Sequence, residues 1–247
     1  MRRRDFLVLS AMFASGCATS QRPLQISFPE TTPAVVKKPE PKKDKPSITL
    51  TIDDGPGPYT PGILDALGQE NAVFFMKGRN LDHQAFFRYA IRAAAQGNTI
   101  GNHSYNHPEF SAIPYAEAVS QIVSTDALIE RVYAEAGVPR TKKLFRFPYG
   151  DPGDGICGLD HAPGNQKRID IARFLKDMGY RPVHWDIDCQ DWKHYSSRDY
   201  ISAGEVMANC RKAAPGDVVL CHENQLTETM VVPFFAKNRR YALSTSL

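Results

Sequence analysis

The chain has 247 residues, of which 42% are hydrophobic, 23% charged and 10% aromatic. That length suits one large domain or two small ones, and the apolar share is enough for a packed core, which excludes a disordered protein. No apolar run approaches the roughly 18 residues of a spanning helix, which excludes a multi-pass membrane protein. The formal net charge of +3, part of it in the first 45 residues, gives no basic field that asks for nucleic acid.

The chain opens as an address. A basic start, a short apolar stretch and small residues near Cys17 have the layout of a secretory signal. Arg3-Arg4-Asp5-Phe6-Leu7 resembles a twin-arginine export signal. Ala14-Ser15-Gly16-Cys17 resembles a lipobox, with Ala14 where Leu is usual. The expectation is an exported protein on the periplasmic face of the cell envelope, held to the membrane through lipidated Cys17. Ordinary cleavage near Ala18, giving a soluble secreted protein, is the alternative. Residues 18–46 alternate Pro and Lys without apolar periodicity and read as an extended tether, reaching up to about 90 Å at roughly 3.1 Å per residue.

From Ser47 onward strand-like and helix-like runs alternate. The strand-like runs are 47–52, 72–76, 98–102, 143–147, 182–187, 217–221 and 241–245. The helix-like runs are 61–69, 83–95, 115–136, 168–178, 201–213 and 229–237. Thr60 precedes Pro61 as an N-cap, and Gly97, Gly137 and Gly179 stand as stops. In the run 115–136 the expected apolar stripe is Val119, Ile122, Val123, Ala127 and Leu128. This order predicts a parallel α/β sheet with crossover helices in residues 47–247, closed as an irregular (β/α)7 barrel. An open doubly wound sheet is the alternative. In both, active residues belong at the C-terminal ends of the strands.

The ionisable residues fall there. The first strand runs into Asp53-Asp54-Gly55-Pro56, the third into His103-Ser104-Tyr105-Asn106-His107, and the fourth into Arg146-Phe147-Pro148-Tyr149. The fifth carries Asp186, Asp188, Asp191 and Trp192, and the sixth ends in His222-Glu223. Each alone has a structural reading, as a turn, a cap or a surface loop, but the fold brings the five strand ends together. Two His at i and i+4 on a helical turn, with one Asp, can grip a metal and leave positions open for water and substrate. Zn²⁺ is the plainest choice, and Co²⁺, Ni²⁺ or Fe²⁺ fit the same ligands. Such an ion acidifies bound water and polarises a carbonyl, the other Asp takes a proton, and His222 protonates the leaving group. Adjacent Asp residues on a strand point to opposite faces unless a turn intervenes, so the residues alone leave open which Asp binds and which acts as base.

TIDDGP, HSYNH, RFPYGD, DCQDW and LCH, in this order, resemble the five motifs of the NodB homology domain, the polysaccharide deacetylases of carbohydrate esterase family 4. The resemblance runs from Ser47 to the C-terminus. It implies a metal-dependent hydrolase that removes N-acetyl groups from an N-acetylglucosamine-containing polysaccharide, peptidoglycan or chitin-like. It makes Asp53 the base and Asp54, His103 and His107 the metal ligands, with Arg146 orienting and tuning the base. It further implies that the Tyr149 backbone N–H stabilises the oxyanion, that Asp188, or else Asp191, pairs with the acid His222, and that Trp192 and Leu220 line a pocket for the acetyl methyl. An O-acetyl (xylan) esterase or a small cyclic amide hydrolase on the same scaffold is the alternative. A non-catalytic sugar-binding protein would be expected to lack the base, a ligand or the acid, and all are present.

Residues 150–166 are rich in Gly, Asp and Pro without periodicity. They read as a substrate-contacting loop or lid, with Asp151 as its sugar contact and Asp160 and His161 as weaker candidates. Cys157, Cys189, Cys210 and Cys221 allow three full disulfide pairings in an exported protein, whereas twin-arginine export folds the domain first in a reducing cytoplasm, so that disulfides form late or not at all; burial in the scaffold is the expected role of Cys189 and Cys221.

Overall fold

The computed structural model describes residues 46–158, 164–237 and 241–247. The export signal, the tether up to residue 45, and Asp160 and His161 lie outside the described residues. Among the described residues eight strands are present: β1 (Ser47–Asp53), β2 (Val73–Met76), β3 (Thr99–Asn102), β4 (Leu144–Phe145), β5 (Arg181–Pro182), β6 (Ile187–Asp188), β7 (Val218–His222) and β8 (Ala242–Leu243). Between them lie α1 (Thr60–Leu67), α2 (Gly78–Leu81), α3 (Gln84–Ala95), α4 (Tyr115–Ala136), α5 (Gln166–Asp177), α6 (Ala203–Cys210) and α7 (Val232–Ala236). No helix among the described residues is long and apolar enough to cross a membrane.

All the strand pairs are parallel, in the order β5-β4-β3-β2-β1-β7-β6. The run 182–187, expected as one strand, is two short ones at opposite edges of this sheet. β5 pairs with β4, β6 pairs with β7, and four residues join them. Five Cα steps reach at most about 18 Å. Seven strands laid flat would put their outer edges about 29 Å apart. The sheet must therefore curl, and the link 183–186 spans its two edges covalently. The barrel reading holds, with that link standing where a continuous fifth strand was expected. The last strand, β8, joins only the start of β1, where Ser47 faces Ala242 and Ile48 faces Leu243.

β1 and β2 are buried almost throughout because both of their faces are covered, as a central parallel strand requires. Ile48, Leu50, Ile52, Phe74 and Met76 pack against Ile63, Leu64, Ala90, Ala94 and Val232 from the helices. A second cluster joins Phe110, Phe145, Phe147 and Tyr180 to Ile122 of α4 and to Ile171 and Leu175 of α5.

The buried stripe of α4 differs from the expected one. Ala118, Gln121, Ile122, Thr125, Asp126, Ile129, Val132 and Tyr133 are buried, while Val123 is 43% exposed. Three of these are polar, so counting only apolar residues rotates the stripe. Each has partners. Gln121 Oε1 accepts from the N–H groups of Tyr105 and Asn106, Thr125 bonds back to the Gln121 carbonyl, and Asp126 accepts from Tyr180 and Arg140. A buried polar side chain is stable where its hydrogen bonds are satisfied, and α4 thereby supports the histidine loop after β3.

Candidate active site

Asp53 and His222 end two neighbouring strands and face each other in the β1–β7 register. Five residues other than glycine have positive φ among the described residues: Asp54 (74°), Ser104 (61°), His107 (63°), Tyr149 (57°) and Gln190 (57°). All follow the C-terminal ends of strands, inside four of the five motifs. Left-handed backbone is unfavourable for an L-residue and persists where its surroundings impose it. At Asp54 it breaks the pleat, so Asp53 and Asp54 turn their carboxylates into one site.

The two His do not lie on a helical turn. Residues 103–107 form an irregular loop, curled by left-handed Ser104 and His107 and closed by the His107 N–H on Ser104 Oγ at 3.1 Å. The imidazoles converge all the same. His103 Nε2 lies 3.2 Å from His107 Nε2, and Asp54 Oδ1 lies 3.8 Å from the first and 3.4 Å from the second. Ligand atoms around one tetrahedral Zn²⁺ stand about 3.3 Å apart. His103 Nδ1 is 2.8 Å from the Arg146 carbonyl. A carbonyl only accepts, so Nδ1 carries a hydrogen and Nε2 is the ring atom turned toward Asp54.

Protonation suits a cation there. For Asp54, burial pushes the carboxyl up, but His103, Lys77, His107 and His222 outweigh it and bring the pKa to about 2. Burial, with His103 beside it, lowers His107 to about 4, so its imidazole is neutral. Asp54 Oδ1 is buried and has no hydrogen-bond partner among the described residues, although the Lys77 ammonium is 3.3 Å away. A buried oxygen without a hydrogen bond, facing the Nε2 atoms of two imidazoles, fits a divalent ion.

Arg146 crosses the barrel interior at 1% exposure. One guanidinium nitrogen donates to Asp53 Oδ1 (2.9 Å) and Thr51 Oγ1 (2.6 Å), and the others to the Val183 and His184 carbonyls of the closing link. Burial lowers its pKa, with Asp53 opposing, yet a guanidinium stays charged at any ordinary pH. Asp53 Oδ2 remains 3.6 Å from His103 Nε2, on the side of the ligand set.

His222 pairs with Asp191 and not with Asp188. Its Nδ1 is 2.9 Å from Asp191 Oδ1, and its N–H donates to Asp191 Oδ2 at 2.7 Å. Asn224 and the Thr227 hydroxyl donate to the same Oδ2. Burial works against the imidazolium, but Asp191, with Asp53 and Asp54 behind it, raises the His222 pKa to about 9. Asp188 instead accepts from the Gln190 N–H at 2.7 Å, and burial pushes its carboxyl up. The reason is local. Left-handed Gln190 turns the chain after β6, so the carboxylate that reaches β7 comes three residues later.

Asp151 is not placed to contact a sugar. It is 4% exposed, Oδ2 accepts from the Ser111 N–H, and Oδ1 accepts from those of Gly153 and Gly155. It staples its own loop to the segment after the histidines. Tyr149 is 58% exposed, with its ring edge-on to His107 at 4.6 Å. Trp192 is 44% exposed, next to Asp191, and Leu220 is buried on β7 opposite Asp188 in register.

Several further residues support the site in roles that only the folded contacts show. Glu223 Oε1 accepts from the N–H groups of Tyr59 and Thr60 and from the Thr60 hydroxyl, so it caps α1 from the end of the neighbouring strand β7. Thr60, expected as the cap, is the first helical residue and accepts from the Gly57 N–H. Asn102 binds the Ile122 carbonyl and the Tyr180 hydroxyl and accepts from the Ser104 N–H, which anchors the histidine loop. Lys77, Thr51 and Gln121 belong with these.

The profile of the family described as polysaccharide deacetylase matches residues 40–164. This chain belongs to the polysaccharide deacetylase family. It is 33% identical over 182 residues to a peptidoglycan-N-acetylglucosamine deacetylase of Bacillus cereus, covering 72% of this chain and 56% of that protein. It is 31% identical to a chitooligosaccharide deacetylase of Sinorhizobium fredii, with 72% of each covered. Among solved structures, the peptidoglycan deacetylase PdaC from Bacillus subtilis superposes with a TM-score of 0.62 at 28% identity, covering 81% of this chain and 87% of that one. A family 4 pseudoenzyme from Bacillus anthracis shares the fold at 23% identity and a TM-score of 0.61. Fold alone therefore does not carry activity in this family, and the side chains must.

Proposed function

We propose that this protein is a metal-dependent deacetylase that hydrolyses N-acetyl groups of an N-acetylglucosamine-containing polysaccharide. One observation carries the reading: Asp53 and the Asp191–His222 pair flank the convergent Asp54, His103 and His107 set at the ends of adjacent strands. Asp54 Oδ1, His103 Nε2 and His107 Nε2 would hold the ion. A divalent ion bound there supplies Lewis-acid polarisation of the carbonyl and a more acidic water.

The chain's own residues do the rest. Asp53 has one oxygen fixed by Arg146 and the other turned to the ligand set, and it takes the proton of the attacking water. The Tyr149 N–H stabilises the oxyanion. Trp192 and Leu220 line the acetyl methyl pocket. His222, held protonated by Asp191, gives its proton to the departing nitrogen. An amine leaves poorly as an anion, so an acid with a pKa of about 9 suits an amide. The test is acetate release from N-acetylated chitooligosaccharides and peptidoglycan, with O-acetylated xylan and small cyclic amides as further arms. Release from xylan alone, or turnover of the cyclic amides alone, would overturn the reading.

The similarity to peptidoglycan deacetylases and the export-like first residues support peptidoglycan as the substrate and lipidated Cys17 as the envelope anchor, and the donor set of two imidazoles and one carboxylate supports Zn²⁺ as the ion. Metal analysis of the purified protein checks the ion. Cys17→Ser should release the protein from the membrane fraction, and unchanged partitioning would reject the anchor.

A further inference from the structure

Two cysteines have no part in this chemistry. Cys189 follows β6, two residues before Asp191, and Cys210 ends α6. Their sulfurs lie 3.1 Å apart, with Cys189 at 0% and Cys210 at 1% exposure. Two unbonded sulfurs in ordinary contact stand about 3.6 Å apart, so the backbone has already brought these two inside that distance. The other thiols among the described residues are placed elsewhere. Cys221 is buried and donates to the Thr51 carbonyl at 3.3 Å, and Cys157 is exposed on the loop after Tyr149.

We propose that Cys189 and Cys210 are a disulfide pair that locks the segment carrying Asp191. The bond closes the chain from 189 to 210 into a loop and ties the end of β6 to α6. The Asn209 side chain already touches the Cys189 carbonyl there. Two thiols lose two protons and two electrons as the S–S bond forms. A small-molecule disulfide accepts both and leaves as two thiols.

The pair is inert once the protein is folded. The hydrogen bond from Cys210 and burial push the Cys189 thiol far up, so little thiolate is present to attack an oxidant. Burial likewise shields the finished bond from reductant. The bond therefore forms only where the chain meets an oxidising medium before these thiols are sealed in, as it would not if the domain folded in a reducing cytoplasm ahead of twin-arginine export, and once formed it persists. This inference stands on the thiol geometry and does not rest on the deacetylase reading.

The experiment is refolding of the reduced, denatured full chain in a buffer of reduced and oxidised glutathione, followed by alkylation, digestion and mass spectrometry. The expected product is one cross-linked peptide pair joining Cys189 to Cys210, with Cys17, Cys157 and Cys221 alkylated. The native oxidised protein should resist dithiothreitol until denaturant is added. It should melt about 5–10 °C above the reduced protein, and Cys210→Ala should show no such difference. Alkylation of both Cys189 and Cys210 after refolding, or a cross-link from either to another cysteine, would overturn the proposal. The mapping uses the unmutated chain, so it decides even if Cys210→Ala fails to fold.

Discussion

His222 keeps its proton at neutral pH because a carboxylate that is 0% exposed lies 2.9 Å from its Nδ1. Three further N–H or O–H donors fix that carboxylate in place, which makes Asp191 a rigid counter-charge. The proton on the imidazole is consumed in the proposed reaction, so the alkaline limb of kcat/KM against pH should follow His222, near pH 9. Asp191→Asn removes the charge and keeps the shape, and the limb should fall by one unit or more. Asp188→Asn should leave it nearly unmoved, because Asp188 bonds to the Gln190 N–H. A larger shift in Asp188→Asn would return the role to Asp188. The base gives a second prediction. Asp53→Asn should lower kcat by about 10²-fold or more while metal content stays constant. If Asp53→Asn loses the ion and Asp54→Asn keeps it, the two roles are reversed.

At the scale of elements, the strand ends are assembled by side chains that take no part in the proposed reaction. Glu223 is the clearest case. Helix α1 starts without a cap from its own N-cap residue, Tyr59, and Glu223 satisfies two of its free N–H groups from the end of β7. Its own N–H donates to the Asp53 carbonyl at 2.9 Å. One residue thus ties the acid's strand, the base's strand and the turn that carries Asp54. Glu223→Ala should destabilise the fold by about 1–2 kcal/mol, the scale of a lost cap, read as a lower midpoint in urea. An unchanged midpoint would show that water replaces the carboxylate without loss.

On the scale of the whole molecule, the ligand set joins two regions of the barrel, the turn after β1 and the loop after β3. An ion held across them binds the folded chain and not the unfolded one, so it adds stability by mass action. Divalent zinc added to chelator-treated protein should raise the melting temperature, and His103→Ala should abolish the rise. At about 100 times the dissociation constant the gain is about 2.7 kcal/mol. A rise that survives in His103→Ala would place the ion elsewhere. The same treatment should remove and restore acetate release. Arg146 acts at this scale too, because its guanidinium joins β4, the closing link and β1 through the barrel centre.

The sequence by itself determined the alternation of strands and helices, the parallel sheet and the five strand ends that carry the chemistry. Those signals are local. Burial on both faces makes apolar runs of strand length, and crossover connections bring their C-terminal ends to one side. Tertiary structure decided the rest. The run 182–187 reads as one strand, because no residue in it announces that its two ends pair with opposite edges of a curled sheet. Asp188 and Asp191 look alike in sequence, and a left-handed Gln190 selects between them. Asp151 sits beside Tyr149 in the chain, yet three loop N–H groups take up its oxygens. Glu223 caps a helix that starts 163 residues away. Each of these depends on which atoms meet after folding, and chain spacing carries no record of that.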